Sequence, residues 1–219
     1  GDFGAAGGHP SAMMLTVVIL AAYLLGSLSG SLLLGKLRGV DIRTLGSGNA
    51  GGTNALRTQG LLCAVGVVVI DIGKGVCATL LAEQLFPGDA PVALAAVFAA
   101  VIGHIWPVFH GFRGGKGAAT LVGGLLIVWP QSLALLLGVW FVCLMLTGYV
   151  GLSTVLAALS LLLSAYWFKA DTGLWLFATS SAALLMFSHR SNLQRMQQGT
   201  EARFEKVRIL GRLFSAFRG

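Results

Sequence analysis

GLLCAVGVVVIDIGKGVCATLLAEQLF (Gly60–Phe86) is long and apolar enough to cross a bilayer, whose ~30 Å core takes about 20 helical residues. Asp71 and Lys74 interrupt it three residues apart. At that spacing the two charges are expected to pair and neutralise one another inside the membrane. Working outward, runs of the same kind recur at about 14–36, 90–111, 116–128, 131–147, 150–168 and 172–188. The fourth and fifth of these seven runs are short and separated only by Trp129-Pro130-Gln131. They read as two tilted short helices, or as one kinked span with a re-entrant piece. The expected fold is therefore an all-α integral membrane protein of about seven transmembrane helices, with short fourth and fifth spans. An odd count, five or seven, puts the termini on opposite sides.

Composition agrees. The 219 residues are 56% hydrophobic and 11% charged, against roughly 25% charged in an average soluble domain. Too few charges remain to cover a water-soluble surface, which excludes a soluble domain, a disordered chain and a disulfide-rich module. Cys63, Cys77 and Cys143 are odd in number, form no C-x-x-C and sit in apolar runs, so they read as buried free thiols. Gly1–Ala12 is small and polar, without a signal peptide's basic start. It reads as a vector-derived remnant, with the native chain expected from Met13 or Met14 as one membrane domain, 13–219.

Charge orients that domain. Of fifteen Lys and Arg, thirteen fall on one side: Lys36, Arg38, Arg43, Arg57, Arg113, Lys116 and every basic residue from Arg190 to Arg218. The positive-inside rule makes that side cytoplasmic, with the N-terminus outside and the C-terminus inside. The net charge of +7 then points to membrane orientation and an anionic substrate rather than nucleic acid. Residues 203–219 mix basic residues with Phe, Ile, Leu and Val and read as a basic amphipathic cytoplasmic tail attracted to membrane lipids. Trp129, Trp167 and Trp175 fall near outer ends and Trp106 near an inner end, while Trp140 is expected to pack mid-span. Gly26 and Gly30 have the spacing of close helix packing.

Three polar stretches meet at the cytoplasmic face. The first, Leu45–Arg57, holds four glycines in seven residues among Ser47, Asn49, Thr53 and Asn54, and leads into a helix. Such a loop can turn backbone N–H groups inward around a phosphate, with Gly48 and Gly51 giving the freedom and the helix start the dipole. A flexible connector is the plain alternative, but it has no need of those side chains and Arg57 together. The second, Gly103–Gly117, sets Arg113 and Lys116 among Gly111, Gly114, Gly115 and Gly117. A positive-inside anchor explains the cations and leaves the glycines unexplained, so Arg113, Gly114, Gly115, Lys116 and Gly117 are expected to approach a bound anion. His104 and His110 are expected to make structural hydrogen bonds. The third, His189–Glu201, places His189 and Asn192 on one helical face; alone, it fits an interfacial cap as well as a site.

In this order the stretches Ser47-Gly-Asn-Ala-Gly-Gly-Thr-Asn54 with Arg57, Gly111-Phe-Arg-Gly-Gly-Lys-Gly117 and His189-Arg-x-Asn192 through Glu201 resemble the acyl-phosphate-dependent glycerol-3-phosphate acyltransferases of bacterial membranes. The likeness runs from about Leu15 to Phe204. It departs where that family often carries Pro followed by Gly-Ala and this chain has Ala50 and Gly51-Gly52, which loosens the loop.

The resemblance implies transfer of a fatty acyl group from acyl phosphate to the 1-hydroxyl of sn-glycerol 3-phosphate. The products are lysophosphatidate and inorganic phosphate, and the reaction is the first step of phospholipid synthesis. It also implies a multi-pass protein of the bacterial plasma (inner) membrane with seven spans, no thioester donor, no cofactor and no metal. Carried across by motif, Ser47, Arg57, Lys116, His189 and Asn192 line the catalytic pocket. Gly48, Asn49, Thr53 and Asn54 surround a phosphoryl group. The expected partners are acyl phosphate, glycerol 3-phosphate and membrane lipids, with no nucleic acid and no obligate protein partner inferred.

The chemistry of these residues points the same way. An acyl phosphate loses phosphate readily once its charge is held, as Arg57 and Lys116 can hold it. The base is either His189 or a phosphate oxygen of the substrate, and the second is preferred. No His is followed five residues later by Asp, and no G-x-S-x-G occurs, so a coenzyme A-type His-Asp pair and an acyl-serine are disfavoured. An organic-phosphate transporter is the competing reading. It requires polar groups reachable from both sides, whereas these stretches gather at one face. A structural protein organising lipid-synthesis partners through the basic tail is the third.

Overall fold

The computed structural model describes residues 12–210. The remnant expected at 1–12 therefore lies outside the described residues except for Ala12, and the amphipathic tail is described only to residue 210. Within these bounds the chain is helical, with no strand. The helices are α1 (Ala12–Gly26), α2 (Gly30–Leu37), α3 (Gly52–Gln59), α4 (Leu61–Leu85), α5 (Ala90–Ile105), α6 (Ala118–Val128), α7 (Gln131–Thr147), α8 (Val150–Trp167), α9 (Thr172–Ser188) and α10 (Arg190–Gln197).

By length and composition α4, the segment Ala90–His110 and α8 each suffice to cross a bilayer, and the pair α1–α2 makes a fourth. The helices α6, α7 and α9 have 11, 17 and 17 residues. At 1.5 Å per residue they are about 17, 26 and 26 Å long, short of a ~30 Å core when taken alone.

The first run differs from the sequence expectation of a continuous helix. It breaks at Ser27–Ser29, and its halves meet at 47°. A break frees backbone groups that lipid cannot satisfy, so it must be buried in protein. Asp71 and Lys74 supply the partners. Gly30 N–H donates to Asp71 Oδ1 at 3.1 Å, and Lys74 Nζ donates to the Leu28 carbonyl at 3.0 Å. The two side chains also pair with each other at 3.0 Å, both almost wholly buried. The intramembrane charges are thus paired, as expected, and the pair closes the ends of a broken helix.

Small residues set the packing. Gly26 lies against the Ala100 carbonyl of α5 and Gly30 against Val67 of α4, so both glycines of the Gly26–Gly30 spacing serve close approach, each to a different helix. Gly75 and Gly123 bring α4 and α6 together in the same way. The main core lies among α5 to α9 around Val97, Leu121, Leu125, Leu161 and Ala178. Trp129 is buried in this core at 4% exposure, a departure from the interfacial position expected of it. Cys63 and Cys143 are buried free thiols, but Cys77 is exposed, on a flank of α4 turned away from the bundle.

The polar connections collect at one end of the bundle. Arg43 Nη1 donates to the carbonyls of His110 at 2.9 Å and Arg113 at 3.3 Å, tying the first polar stretch to the second. Phe204 N–H donates to the Gly148 carbonyl at 2.9 Å, and Arg57 Nη2 donates to Ala202 at 3.1 Å, tying the segment after α10 to both α3 and the α7–α8 turn. At the opposite end Ala90, Val128 and Asp171 line a separate hollow.

Candidate active site

A cavity of about 340 Å³ opens among the three polar stretches. Its first wall is the stretch 45–57, and the organiser of that stretch is Asn54. The Asn54 side chain is 1% exposed. Its Oδ1 accepts from Ser47 N–H at 3.0 Å, and its Nδ2 donates to the carbonyls of Ile42 at 3.1 Å and Leu45 at 2.9 Å. Both amide hydrogens are therefore committed to the backbone. Asn54 shapes the loop with these bonds and also lines the cavity.

Gly48 turns the loop with φ +71°, its N–H bonded to the Leu45 carbonyl, and lies outside the cavity lining. Ser47, Asn49, Gly51 and Thr53 do face the cavity. The helix α3 begins at Gly52 without a side-chain cap, and Gly51 to Thr53 bring its first turn to the cavity wall. A helix start left this way presents N–H groups and partial positive charge to whatever occupies the space. Arg57, at the mouth, stacks on the Phe204 ring with its Cζ 4.6 Å from the centroid.

The second wall carries Lys116 and Gly117. Gly117 caps α6 at φ +88° and turns the chain into the helix. Lys116 Nζ donates to Asn192 Oδ1, and the Lys116 carbonyl accepts from Ser188 Oγ at 2.9 Å. Burial pushes the Lys116 pKa down to about 8; Arg195 pushes the same way and Glu201 opposes it. A half-buried ammonium among other cations is poised to gain from an incoming anion. Arg113, Gly114 and Gly115 do not line the cavity. Gly114 and Gly115 donate backward to the carbonyls of Ile105 at 3.2 Å and His104 at 3.1 Å, and Arg113 is exposed. The glycine-rich sequence permits a close approach, and the group approached is the end of α5.

The third wall is the α9–α10 joint. His189 is 5% exposed, and its Nδ1 lies 2.8 Å from the Leu185 carbonyl. A carbonyl can only accept, so Nδ1 carries the proton and Nε2 keeps its lone pair. Burial, and then the charge of Lys116, pushes the His189 pKa down to about 4. Asn192 Nδ2 donates to Glu201 Oε1 at 2.6 Å, and Glu201 Oε2 accepts from Arg195 Nε at 2.7 Å. A chain of charge-assisted bonds thus runs Lys116–Asn192–Glu201–Arg195. Glu201, Asp71 and His104 also line the cavity and were not among the residues expected there. The signal for Glu201 was its position as an acid closing a basic stretch.

Beyond the polar walls the cavity continues as an apolar arm between α6, α7 and α8, past Leu121, Leu137, Trp140, Phe141, Ala157 and Ala158. Trp140 Nε1 donates to Thr154 Oγ1 at 3.2 Å, so the indole lines the arm without an orphan donor. One cavity therefore joins a mouth lined by Arg57 and Lys116 to an apolar interior.

Over residues 16–199 the chain matches the family described as glycerol-3-phosphate acyltransferase. It is 44% identical over 192 residues to the glycerol-3-phosphate acyltransferase of Halalkalibacterium halodurans, covering 84% of this chain and 93% of that protein. The corresponding protein of Bacillus subtilis is 40% identical over 190 residues, covering 86% and 97%. The crystal structure of PlsY, an integral membrane glycerol 3-phosphate acyltransferase, in its glycerol 3-phosphate form matches with a TM-score of 0.83 at 35% identity, covering 90% of this chain and 98% of that one. The lysophosphatidic acid form matches at 0.82 and 34%, with the same coverage.

Proposed function

This chain belongs to the glycerol-3-phosphate acyltransferase family, and we propose that acyl phosphate is its donor. It is an acyltransferase of the membrane. In the proposed reaction a fatty acyl group passes to the 1-hydroxyl of sn-glycerol 3-phosphate, giving lysophosphatidate and inorganic phosphate. The observation that carries this reading is the continuity of one cavity from Arg57, Lys116 and the start of α3 into the apolar arm. Both substrates carry phosphate, one also carries an acyl chain, and a single hollow accommodates all three features.

In this reading the phosphates lie against Arg57, Lys116 and the first turn of α3, with Ser47, Asn49, Gly51, Thr53 and Gly117 around them. The acyl chain lies along Leu137, Phe141 and Ala158. The glycerol hydroxyl attacks the acyl carbonyl carbon, the carbonyl oxygen takes up the charge, and the bond to the phosphate oxygen then breaks. Cations and N–H groups already in place stabilise both developing charges. The hydroxyl proton goes to a phosphate oxygen. A substrate phosphate with its second pKa near ~6 is a stronger base than an imidazole held at about 4. His189 Nε2 is then an acceptor that orients the hydroxyl, and Asn192 holds Lys116 in place.

We further propose seven passes, with the N-terminus outside and the cavity at the cytoplasmic face of the bacterial inner membrane. The gathering of Arg43, Arg57, Arg113, Lys116, Arg190 and Arg195 at the cavity end supports that orientation. The test supplies purified protein with glycerol 3-phosphate and either palmitoyl phosphate or palmitoyl coenzyme A. Lysophosphatidate and phosphate appearing together with palmitoyl phosphate alone is the expected result. Product from the thioester at a comparable rate would overturn the donor assignment.

A further inference from the structure

His104 is buried at 3% exposure and borders the cavity, and the site reading gives it no task. Its surroundings are unusual. Lys74 Nζ lies 2.6 Å from His104 Nδ1, 3.0 Å from Asp71 Oδ1 and 3.0 Å from the Leu28 carbonyl. Nδ1 also lies 3.5 Å from Asp71 Oδ1; the ammonium is the nearer partner and can only donate, so Nδ1 accepts from Lys74 and the ring proton sits on Nε2. The Nε2 edge lies against Gly115, where an added Cβ would collide with Nε2 and with the Ala50 carbonyl. The backbone meets at the same place, because Gly115 N–H donates to the His104 carbonyl at 3.1 Å and Gly114 N–H to Ile105 at 3.2 Å. Lys116 is the next residue.

We infer that His104, gripped from below by Lys74 and Asp71, is a positioning residue that fixes the loop carrying Lys116 at the cavity wall. The inference rests on the site reading above and deepens it. Three elements are joined through the ring and its two charged partners: the break between α1 and α2, the middle of α4, and the glycines before α6. A charge pair required only to close a helix break needs Gly30 N–H and the Leu28 carbonyl. The third bond, to His104, extends the same rigid cluster to the loop beside Ala50 and Lys116. Gly114 and Gly115 are small because the loop must lie flat on the histidine and its backbone.

The decisive variant is His104→Asn. The Asn side-chain oxygen can replace Nδ1 as the acceptor for Lys74, so the buried pair stays satisfied, while the ring that contacts Gly115 is gone. The groups facing Lys116 (Arg57, Arg190, Arg195, Glu201 and His189) are untouched. The variant is expected to melt close to the wild type. Its kcat/KM for glycerol 3-phosphate should fall roughly 10-fold or more, and the alkaline limb of its pH profile should move above the wild-type position as Lys116 gains water. A purely structural histidine would leave that limb in place. A folded His104→Asn with kcat/KM within about twofold of wild type and an unmoved limb would overturn the inference. A His104→Asn that does not fold would make the ring a core element and would also overturn it. The double variant Asp71→Asn with Lys74→Met, which keeps an acceptor for Gly30 and removes both charges, is expected to show the same shifted limb. The unmodified protein is assayed alongside; no turnover by it would sink the acyltransfer reading itself, separately from the behaviour of the variants.

Discussion

Replacing Gly151 by alanine sets two effects against each other. Gly151 is the second residue of α8 and faces α10. In a helix alanine is favoured over glycine by roughly 0.5–1 kcal/mol, so local propensity predicts a small gain in stability. A Cβ there would lie 2.6 Å from Asn192 Cβ, 2.9 Å from Cγ and 3.1 Å from Nδ2, whereas ordinary contact begins at 3.4 Å. The closest pair must separate by about 0.8 Å. Asn192 cannot retreat without lengthening its bonds to Lys116 and Glu201. A displacement near 1 Å of a positioning group costs on the order of 10²-fold in rate, about 2.7 kcal/mol. The assay follows phosphate release with palmitoyl phosphate and glycerol 3-phosphate, beside a thermal melt of the same preparation. The expected result is a melting temperature at or near wild type with kcat/KM lower by about two orders of magnitude. Wild-type kinetics in a well-folded Gly151→Ala would refute the argument that the Lys116–Asn192 contact sets the reacting geometry.

Other perturbations separate the remaining roles. Because burial holds the Lys116 pKa near 8, below its ordinary 10.5, the ammonium is lost as pH rises through 8, and kcat/KM for glycerol 3-phosphate should fall there. Lys116→Arg should abolish that fall at reduced overall activity, and a fall at the same pH in this variant would assign the limb to another group. His189 is neutral above about pH 4, so His189→Ala should lose less than about 10² in kcat and keep any acid limb near pH 6; a larger loss or a vanished limb would make His189 the base. Asn54→Ala removes three hydrogen bonds, one buried and two partly buried, each worth about 1 kcal/mol. It should lower the melting temperature and raise KM together, and an unchanged melt would mean that the loop holds itself.

Much of the site was legible because polar residues are scarce in this chain. Ser47, Arg57, Lys116, His189 and Asn192 stand out against an apolar background, and the fold brings all of them to one cavity. The sequence was less informative wherever glycine was the signal. A glycine reports that something comes close without saying what, and Gly114 and Gly115 approach His104 rather than the cavity. The break at Ser27–Ser29 was hidden because its partners, Asp71 and Lys74, lie on another helix. Leucines occur on every helix, so nothing local distinguished those lining the apolar arm from those facing lipid. Glu201 joins the site only because the chain after α10 folds back beneath Gly148 and Arg57.

The central claim is that phosphate-bearing substrate occupies this cavity, and a crystal structure of the protein with glycerol 3-phosphate tests it most directly. The account predicts the phosphate inside the cavity, with oxygens about 3 Å from the Lys116 ammonium or the Arg57 guanidinium and the glycerol chain directed toward the apolar arm. A phosphate bound elsewhere on the molecule, at a concentration that saturates turnover, would contradict it.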